Sequence, residues 1–186
     1  MKKAYAFLAT GFEEVEALAV VDVLHRAKID VKTVSITEEK LVTSSHGVAI
    51  MADLTFDDII DSEADLLFLP GGLPGTTNLG ADQRLCQLLK KHYEAGKHVA
   101  AVCAAPSVLG QLGFLQGRKA TCYPGFEDKL TGATTLTNDR SVRVVTDGNV
   151  TTSRGMGTSV ELGLELVRIL IDADTADTLA ATIQHV

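Results

Sequence analysis

Cys103 is the residue around which chemistry can most readily be built. It closes the apolar run His98-Val99-Ala100-Ala101-Val102 and is followed by Ala104-Ala105-Pro106. Small residues on both sides permit a sharp strand-to-helix turn, the geometry of a nucleophile elbow. Pro106 suits the first helical turn, where its missing N–H costs nothing. A thiol placed there faces a helix N-terminus, which can lower a cysteine pKa from about 8.5 into the range of roughly 3.5–7.5. The Ala104 N–H would point at an oxyanion formed on the thiol. A buried structural cysteine is the ordinary alternative.

Two further groups could serve that thiol. Leu69-Pro70-Gly71-Gly72 places a double glycine at the end of an apolar run, where backbone can approach a ligand and donate an N–H. No Gly-Lys-Ser/Thr follows, so it is not a P-loop, and it does not match a dinucleotide fingerprint. Glu13, Glu14 and Glu16 fall in the first turns of a helix, where acidic residues ordinarily complement the dipole. The five histidines follow no motif, and His92 and His98 read as surface or strand-edge residues.

The elements needed to position these groups are legible in the pattern. Ala4–Ala9, Ile29–Ile36, Asp65–Leu69 and His98–Val102 read as buried strands. Between them lie helical stretches, one opened by a capping box at Thr10 and Glu13 and running to Ala27, another capped by Asp82 and running to Glu94. Lys40–Met51 predicts an appended hairpin. Val142–Thr146 and Asn149–Ser153 flank a hairpin turn at Asp147-Gly148. Thr158 and Glu161 form a second capping box before a helix to Ile171, and Thr175–Gln184 predicts the last helix. This alternation predicts one domain over 1–186, a flavodoxin-like three-layer α/β/α sandwich with a mainly parallel central sheet. Ligands of such sheets bind at the carboxyl ends of the strands, where the Thr10, Gly71-Gly72 and Cys103 turns would gather.

Composition narrows the partners. Hydrophobic residues make up 46% of the 186 and the formal net charge is −7, with no extended basic run. Nucleic acid is therefore not an expected partner. No stretch approaches the roughly 18 apolar residues of a membrane span. Cys86, Cys103 and Cys122 cannot all pair and show no zinc-ligand spacing, so a reducing cytoplasm, no metal and no cofactor are expected. The apolar residues of the first helix, from Ala17 to Leu24, exceed one buried face and point to self-association.

Phe12-Glu13-Glu14-Val15-Glu16, Leu69-Pro70-Gly71-Gly72, Ala101-Val102-Cys103-Ala104-Ala105-Pro106 and Thr152-Ser153-Arg154-Gly155 occur in this order along the whole chain. Together they resemble the signatures of the DJ-1/PfpI superfamily, in its DJ-1/ThiJ branch. The resemblance implies a reactive Cys103 touched by Glu16, an oxyanion hole from the Gly72 and Ala104 amides, and substrate contacts from Gly71, Arg26, Tyr123 and Arg154. It also implies a homodimer. The implied activity is cofactor-independent chemistry on small aldehydes or dicarbonyls, of the glyoxalase III or deglycase type. A redox sensor or stress-protective chaperone, with Cys103 oxidised to the sulfinic acid, is the alternative. Three positions depart from the pattern: His46 for an expected Arg, Tyr123 for His, and Met156 for Pro. The peptidase branch carries His directly after the cysteine. Ala104 stands there in this chain, which argues against a Cys-His peptidase.

Overall fold

A computed structural model describes residues 1–59 and 63–185. In chain order the strands and helices are β1 (Lys3–Leu8), α1 (Glu14–Arg26), β2 (Asp30–Ser35), β3 (Leu41–Thr43), β4 (Ala49–Met51), β5 (Leu54–Thr55) and β6 (Leu66–Leu69). There follow α2 (Gly75–Ala81), α3 (Gln83–Glu94), β7 (His98–Val102), α4 (Pro106–Gln111), β8 (Lys119–Ala120) and β9 (Thr134–Thr135). The last four are β10 (Val144–Asp147), β11 (Val150–Ser153), α5 (Ser159–Leu170) and α6 (Ala173–Thr182).

Seven strands form one sheet in the order β10-β11-β7-β6-β1-β2-β5. Every neighbouring pair is parallel except the β10–β11 hairpin. The predicted parallel sandwich is therefore the observed architecture. Side chains alternate across each strand, so β1 sends Tyr5 and Phe7 to one face and Ala4 and Ala6 to the other. The first face is covered by α2, α3 and α4 through Leu79, Leu85, Leu89, Val108 and Leu109. The second is covered by α1, α5 and α6 through Val20, Val23, Leu24, Leu162, Leu166, Val167 and Leu179.

That second layer corrects the reading of α1 as an apolar surface. Ala17, Val20, Val21, Val23 and Leu24 are buried within the chain itself. Gly163 makes this possible, because a Cβ there would sit 2.8 Å from the Val23 Cβ and hold α5 away from α1. Val15 and Leu18 alone remain exposed as large apolar residues of this helix.

Both proposed capping boxes fail, for related reasons. At α1 the cap is Glu13, whose carboxylate accepts from the Glu16 N–H, while Thr10 lies exposed in the preceding turn. The chain inserts Gly11-Phe12 before the helix begins: Phe12 is fully buried with Leu8, Ala17 and Val42. At α5 the Thr158 hydroxyl turns back to the Gly155 carbonyl instead of forward, and Glu161 pairs with Arg143. The Asp82 cap forms as predicted, accepting from the Arg84 and Leu85 amides. The β10–β11 turn sits one residue later than expected, on Gly148-Asn149, because Asp147 still pairs with Val150. The β3–β4 hairpin forms as predicted and docks on the start of α1, where Gly11 N–H donates to Thr43 O and Ser45 N–H to Phe12 O.

His92 and His98 are buried, contrary to the surface reading. The His92 ring meets the His98 carbonyl and the His98 ring meets the Thr151 hydroxyl. Burial drives the His98 pKa down to about 4, so it is a neutral core residue.

Candidate active site

The turn at Cys103 is strained in the way a nucleophile elbow requires. Cys103 has φ of 63°, in the left-handed region that costs a non-glycine residue energy. The turn is pinned from both sides: Cys103 N–H donates to Ser153 O and Cys103 O accepts from Tyr123 N–H. Ala105 N–H closes it back onto Val102 O.

The parallel register then brings the other groups in. β6 lies beside β7 and β1 beside β6, so the loops after all three strands meet at one sheet edge. Glu16, 1% exposed, reaches into this edge from α1, and its Oε2 accepts the Gly71 N–H at 2.9 Å. Glycine is obligatory at position 71. A Cβ there would meet Glu16 Oε2 at 2.5 Å, Cys103 Cβ at 2.6 Å and Val102 O at 3.0 Å. Gly71→Ala is therefore expected to cost about 1–3 kcal/mol of stability and to displace Glu16 from the thiol. Chemical denaturation and the alkylation rate of Cys103 check this. A variant with wild-type stability and reactivity would show that the contact relaxes freely.

The amides of Gly72 and Ala104 hydrogen-bond the Cys103 sulfur. Gly72 reaches this position with φ of 88°, packed against the Gly11–Glu13 backbone. On the far side, Met156 N–H hydrogen-bonds Glu16. Gly155 closes the wall, since a Cβ there would lie 3.8 Å from Glu16 Oε1 and 3.9 Å from Cys103 Sγ. Leu73, Tyr123 and Met156 are each more than half exposed and follow or face these backbone groups, giving the thiol an apolar rim.

Arg26 and Arg154 are not brought into this site. Arg26 ends α1, ten residues and about 15 Å along the helix from Glu16, and pairs with Asp22. The Arg154 guanidinium turns away to the carbonyls of Thr137 and Asp139, where it ties down the loop before β10. Neither contacts the thiol of its own chain. Tyr123 stands at the rim as expected, its N–H tied to Cys103 O. His46 pairs with Glu14 at 3.1 Å, and this exposed pair, together with Glu13, sits over the start of α1.

Gly155 and Met156 were named in the sequence without a role, and the structure sets them against the thiol and its glutamate. Their signal lies in topology: β11 pairs with β7 so that Ser153 opposes Val102, which carries the next residues past Cys103. Strand order is needed to see it.

Opposing effects set the acidity of the thiol. α4 is only six residues long, and burial, then the charge of Glu16 and its hydrogen bond, push the Cys103 thiol up to about 12, against the pull of the Ala104 and Gly72 amides. Glu16 is itself pushed up to about 7, first by burial and further by the charge of Glu13, while Cys103, Gly71 and Met156 oppose the rise by hydrogen bonding. Between these values the two groups hold one proton in common. With the proton on Glu16, its O–H donates to a thiolate already held by two amides. With the proton on sulfur, the S–H donates to a carboxylate held by Gly71 and Met156.

Alkylation follows from this sharing. The pair gains its single negative charge near pH 7, so iodoacetamide labelling of Cys103 should rise about tenfold per pH unit below that point and level off above it. Cys122 is fully buried and Cys86 lies in α3, each with its thiol pKa raised chiefly by burial. Peptide mass spectrometry should find Cys103 labelled first at pH 7.5. Faster labelling of Cys86 or Cys122 would remove the basis for a nucleophile at the elbow.

An α/β sandwich with a strained cysteine elbow, a facing carboxylic acid and two sulfur-directed amides defines the class of protein. The chain belongs to the DJ-1/PfpI family, whose model matches residues 2–169. It is 40% identical over 176 residues to protein DJ-1 homolog B of Arabidopsis thaliana, covering 94% of this chain and 40% of that one. The chain thus spans about two-fifths of the length of that relative. It is 36% identical to Parkinson disease protein 7 homolog of Danio rerio, covering 97% of this chain and 95% of the other. It is also 36% identical to deglycase PfpI of Pyrococcus furiosus, covering 87% and 95%. Among solved structures, a mutant of a DJ-1 superfamily protein from Salmonella typhimurium superposes with a TM-score of 0.94 at 32% identity, covering all of both chains. Among the described residues no helix is long and apolar enough to cross a membrane.

Proposed function

We infer that this protein is a cysteine-dependent enzyme that converts small dicarbonyls to hydroxy acids without a cofactor, with release of glycation adducts from proteins as a related activity. The observation that carries this reading is the hydrogen-bonded Cys103–Glu16 pair beneath the Gly72 and Ala104 amides. The name of the Pyrococcus relative, a deglycase, agrees with it.

For methylglyoxal the steps balance as follows. The Cys103 sulfur attacks the aldehyde carbon, and the resulting oxyanion is held by the two amides before it takes up a proton. Glu16 removes the proton from that carbon and delivers it to the neighbouring one, passing through an enediol. The former aldehyde carbon is thereby oxidised to a thioester and the ketone carbon reduced to an alcohol. Water then cleaves the sulfur–carbon bond, releasing lactate and restoring the thiol. No external oxidant or reductant is required.

A homodimer in the cytoplasm completes the proposal. The two exposed apolar residues of α1, Val15 and Leu18, would join such an interface, and a basic residue absent from the chain's own site, such as Arg26, would have to come from the second copy. The alternative of a redox sensor rests on the same partly buried thiol, and a solved relative from Toxoplasma gondii is described as oxidized DJ-1. Consumption of methylglyoxal and glyoxal in oxygen-free buffer separates the two. Turnover supports the enzyme, and its absence, with peroxide adding two oxygens to Cys103, supports the sensor.

A further inference from the structure

Glu16 is held by backbone amides from two loops. Its Oε2 accepts the Gly71 N–H, while Oε1 faces the turn after β11, where a Cβ on Gly155 would stand 3.8 Å away. The donor from that turn is Met156 N–H. It exists only because methionine stands where the family pattern carries proline, which has no N–H to give.

What aims this N–H is the other end of the same peptide. The Gly155–Met156 bond is trans and planar, so the Gly155 carbonyl and the Met156 N–H point in opposite directions. Three donors draw the Gly155 oxygen toward the start of α5: Thr158 N–H at 2.9 Å, the Thr158 hydroxyl at 2.9 Å and the Ser159 hydroxyl at 3.3 Å. The buried Thr158 hydroxyl is fully committed here. It gives its hydrogen to Gly155 O and accepts from Gly155 N–H at 3.2 Å and from the Ser153 hydroxyl at 2.6 Å.

We propose that Thr158 is a positioning residue for the acid–base group: its hydroxyl locks the Gly155–Met156 peptide in the orientation that donates to Glu16. The lock favours the carboxylate, the form that takes a proton from sulfur or substrate. The titratable groups acting on Glu16 are Cys103 from the elbow and Glu13 from the α1 cap. His46 of the β3–β4 hairpin is paired with Glu14, and Arg154 is turned to the Thr137 and Asp139 carbonyls. Backbone amides are thus what hold the negative charge. The consequence for turnover rests on the dicarbonyl reading, whereas the lock itself needs only the Cys103–Glu16 pair.

The pH dependence of iodoacetamide labelling at Cys103 reads the lock without any turnover. Met156→Pro deletes the donor, and its ring suits the first position of the short 3₁₀ turn Met156–Thr158. A carboxyl that loses one backbone donor holds its proton more tightly, so the labelling midpoint should rise by about one pH unit. Labelling below pH 7 should then be about tenfold slower. Met156→Leu keeps the N–H and should keep the parent midpoint. Thr158→Val removes the hydroxyl at nearly constant volume and leaves Ser153 its bond to Arg143 O at 3.1 Å. Its midpoint should rise by less, because Thr158 N–H and Ser159 still hold Gly155 O, and Thr158→Ser should restore it. In the parent, the Met156 amide proton should titrate by NMR with the midpoint of Cys103 labelling, and in Glu16→Gln it should not. That measurement decides the matter even if a substituted turn fails to fold. An unchanged midpoint in folded Met156→Pro or Thr158→Val would overturn the proposal, as would a Met156 amide that ignores Glu16. Methylglyoxal turnover lost equally at every pH in Thr158→Val would mark a merely structural role and overturn it too. Raised midpoints beside a parent that consumes no methylglyoxal would support the lock and sink the dicarbonyl reading.

Discussion

Cys103→Ser should abolish dicarbonyl turnover while leaving the fold intact. The change exchanges sulfur for a smaller oxygen at a partly buried position, so packing against Ala104 and Gly155 has nothing to absorb, and the left-handed backbone at this residue is unaltered. What is lost is acidity. A serine hydroxyl is a far weaker acid than a thiol, and Glu16, at about 7, is too weak a base to ionise it. Methylglyoxal consumption should fall by about 10³-fold or more, the scale on which removal of a nucleophile acts in other covalent catalysts. Melting temperature and circular dichroism should match the parent within ordinary error. Wild-type rates in the serine variant would mean that the thiol forms no bond to substrate, and the proposed mechanism would fall with it. A substrate screen over small aldehydes, run on both proteins, also identifies which carbonyls need the sulfur.

Much of this arrangement was legible before any coordinates, and what was missed has physical causes. Buried parallel strands announce themselves by apolar runs, so β1, β2, β6 and β7 were read within a residue or two of their ends. Cys103, Ala104, Gly71, Gly72 and Glu16 came together because each follows the carboxyl end of one of three adjacent parallel strands. Helix starts were harder. Thr10 and Thr158 both fit the capping pattern, yet the burial of Phe12 moved the α1 cap to Glu13, and the Gly155 turn drew the Thr158 hydroxyl away from the α5 amides. α2 went unseen because Gly75-Thr76-Thr77-Asn78 are poor helix formers. It holds its shape through Leu79 in the core and through Gly75, whose missing side chain lets the turn lie against Phe12. Arg26 and Arg154 show the limit most clearly. A motif places a residue on the chain, but the direction of a long flexible side chain is decided by its local acceptors, Asp22 for one and the Thr137 and Asp139 carbonyls for the other. Neither the six-residue length of α4 nor the depth of burial of Glu16 beside the thiol was legible in the sequence.

Glu16→Gln should slow turnover and stabilise the protein at once. Glutamine keeps the shape and can still accept the Gly71 N–H through its carbonyl oxygen, but it carries no transferable proton. Dicarbonyl consumption should fall by about 10²–10⁴-fold, the usual contribution of a positioned acid–base group. Iodoacetamide should still label Cys103 readily, since the Gly72 and Ala104 amides remain and the charge opposing ionisation of the thiol is gone. Stability moves the other way. Glu16 ionises near 4.5 when exposed and near 7 in the folded chain, so between these pH values the folded state binds more protons and loses stability as pH rises. The full penalty, about 3 kcal/mol at most, is present above pH 7 and absent below pH 4.5. The variant should therefore melt several degrees higher than the parent at pH 8 and match it at pH 4. Glu13→Gln should be milder, because its carbonyl can still cap α1, and Glu14→Gln should disturb only the exposed pairing with His46. Normal turnover in Glu16→Gln beside an inactive Glu13→Gln would make the capping glutamate the acid–base group. Full activity in all three would leave no carboxylate at this turn to move the proton, and unchanged melting at pH 8 would show that burial does not raise the Glu16 pKa as the shared proton requires.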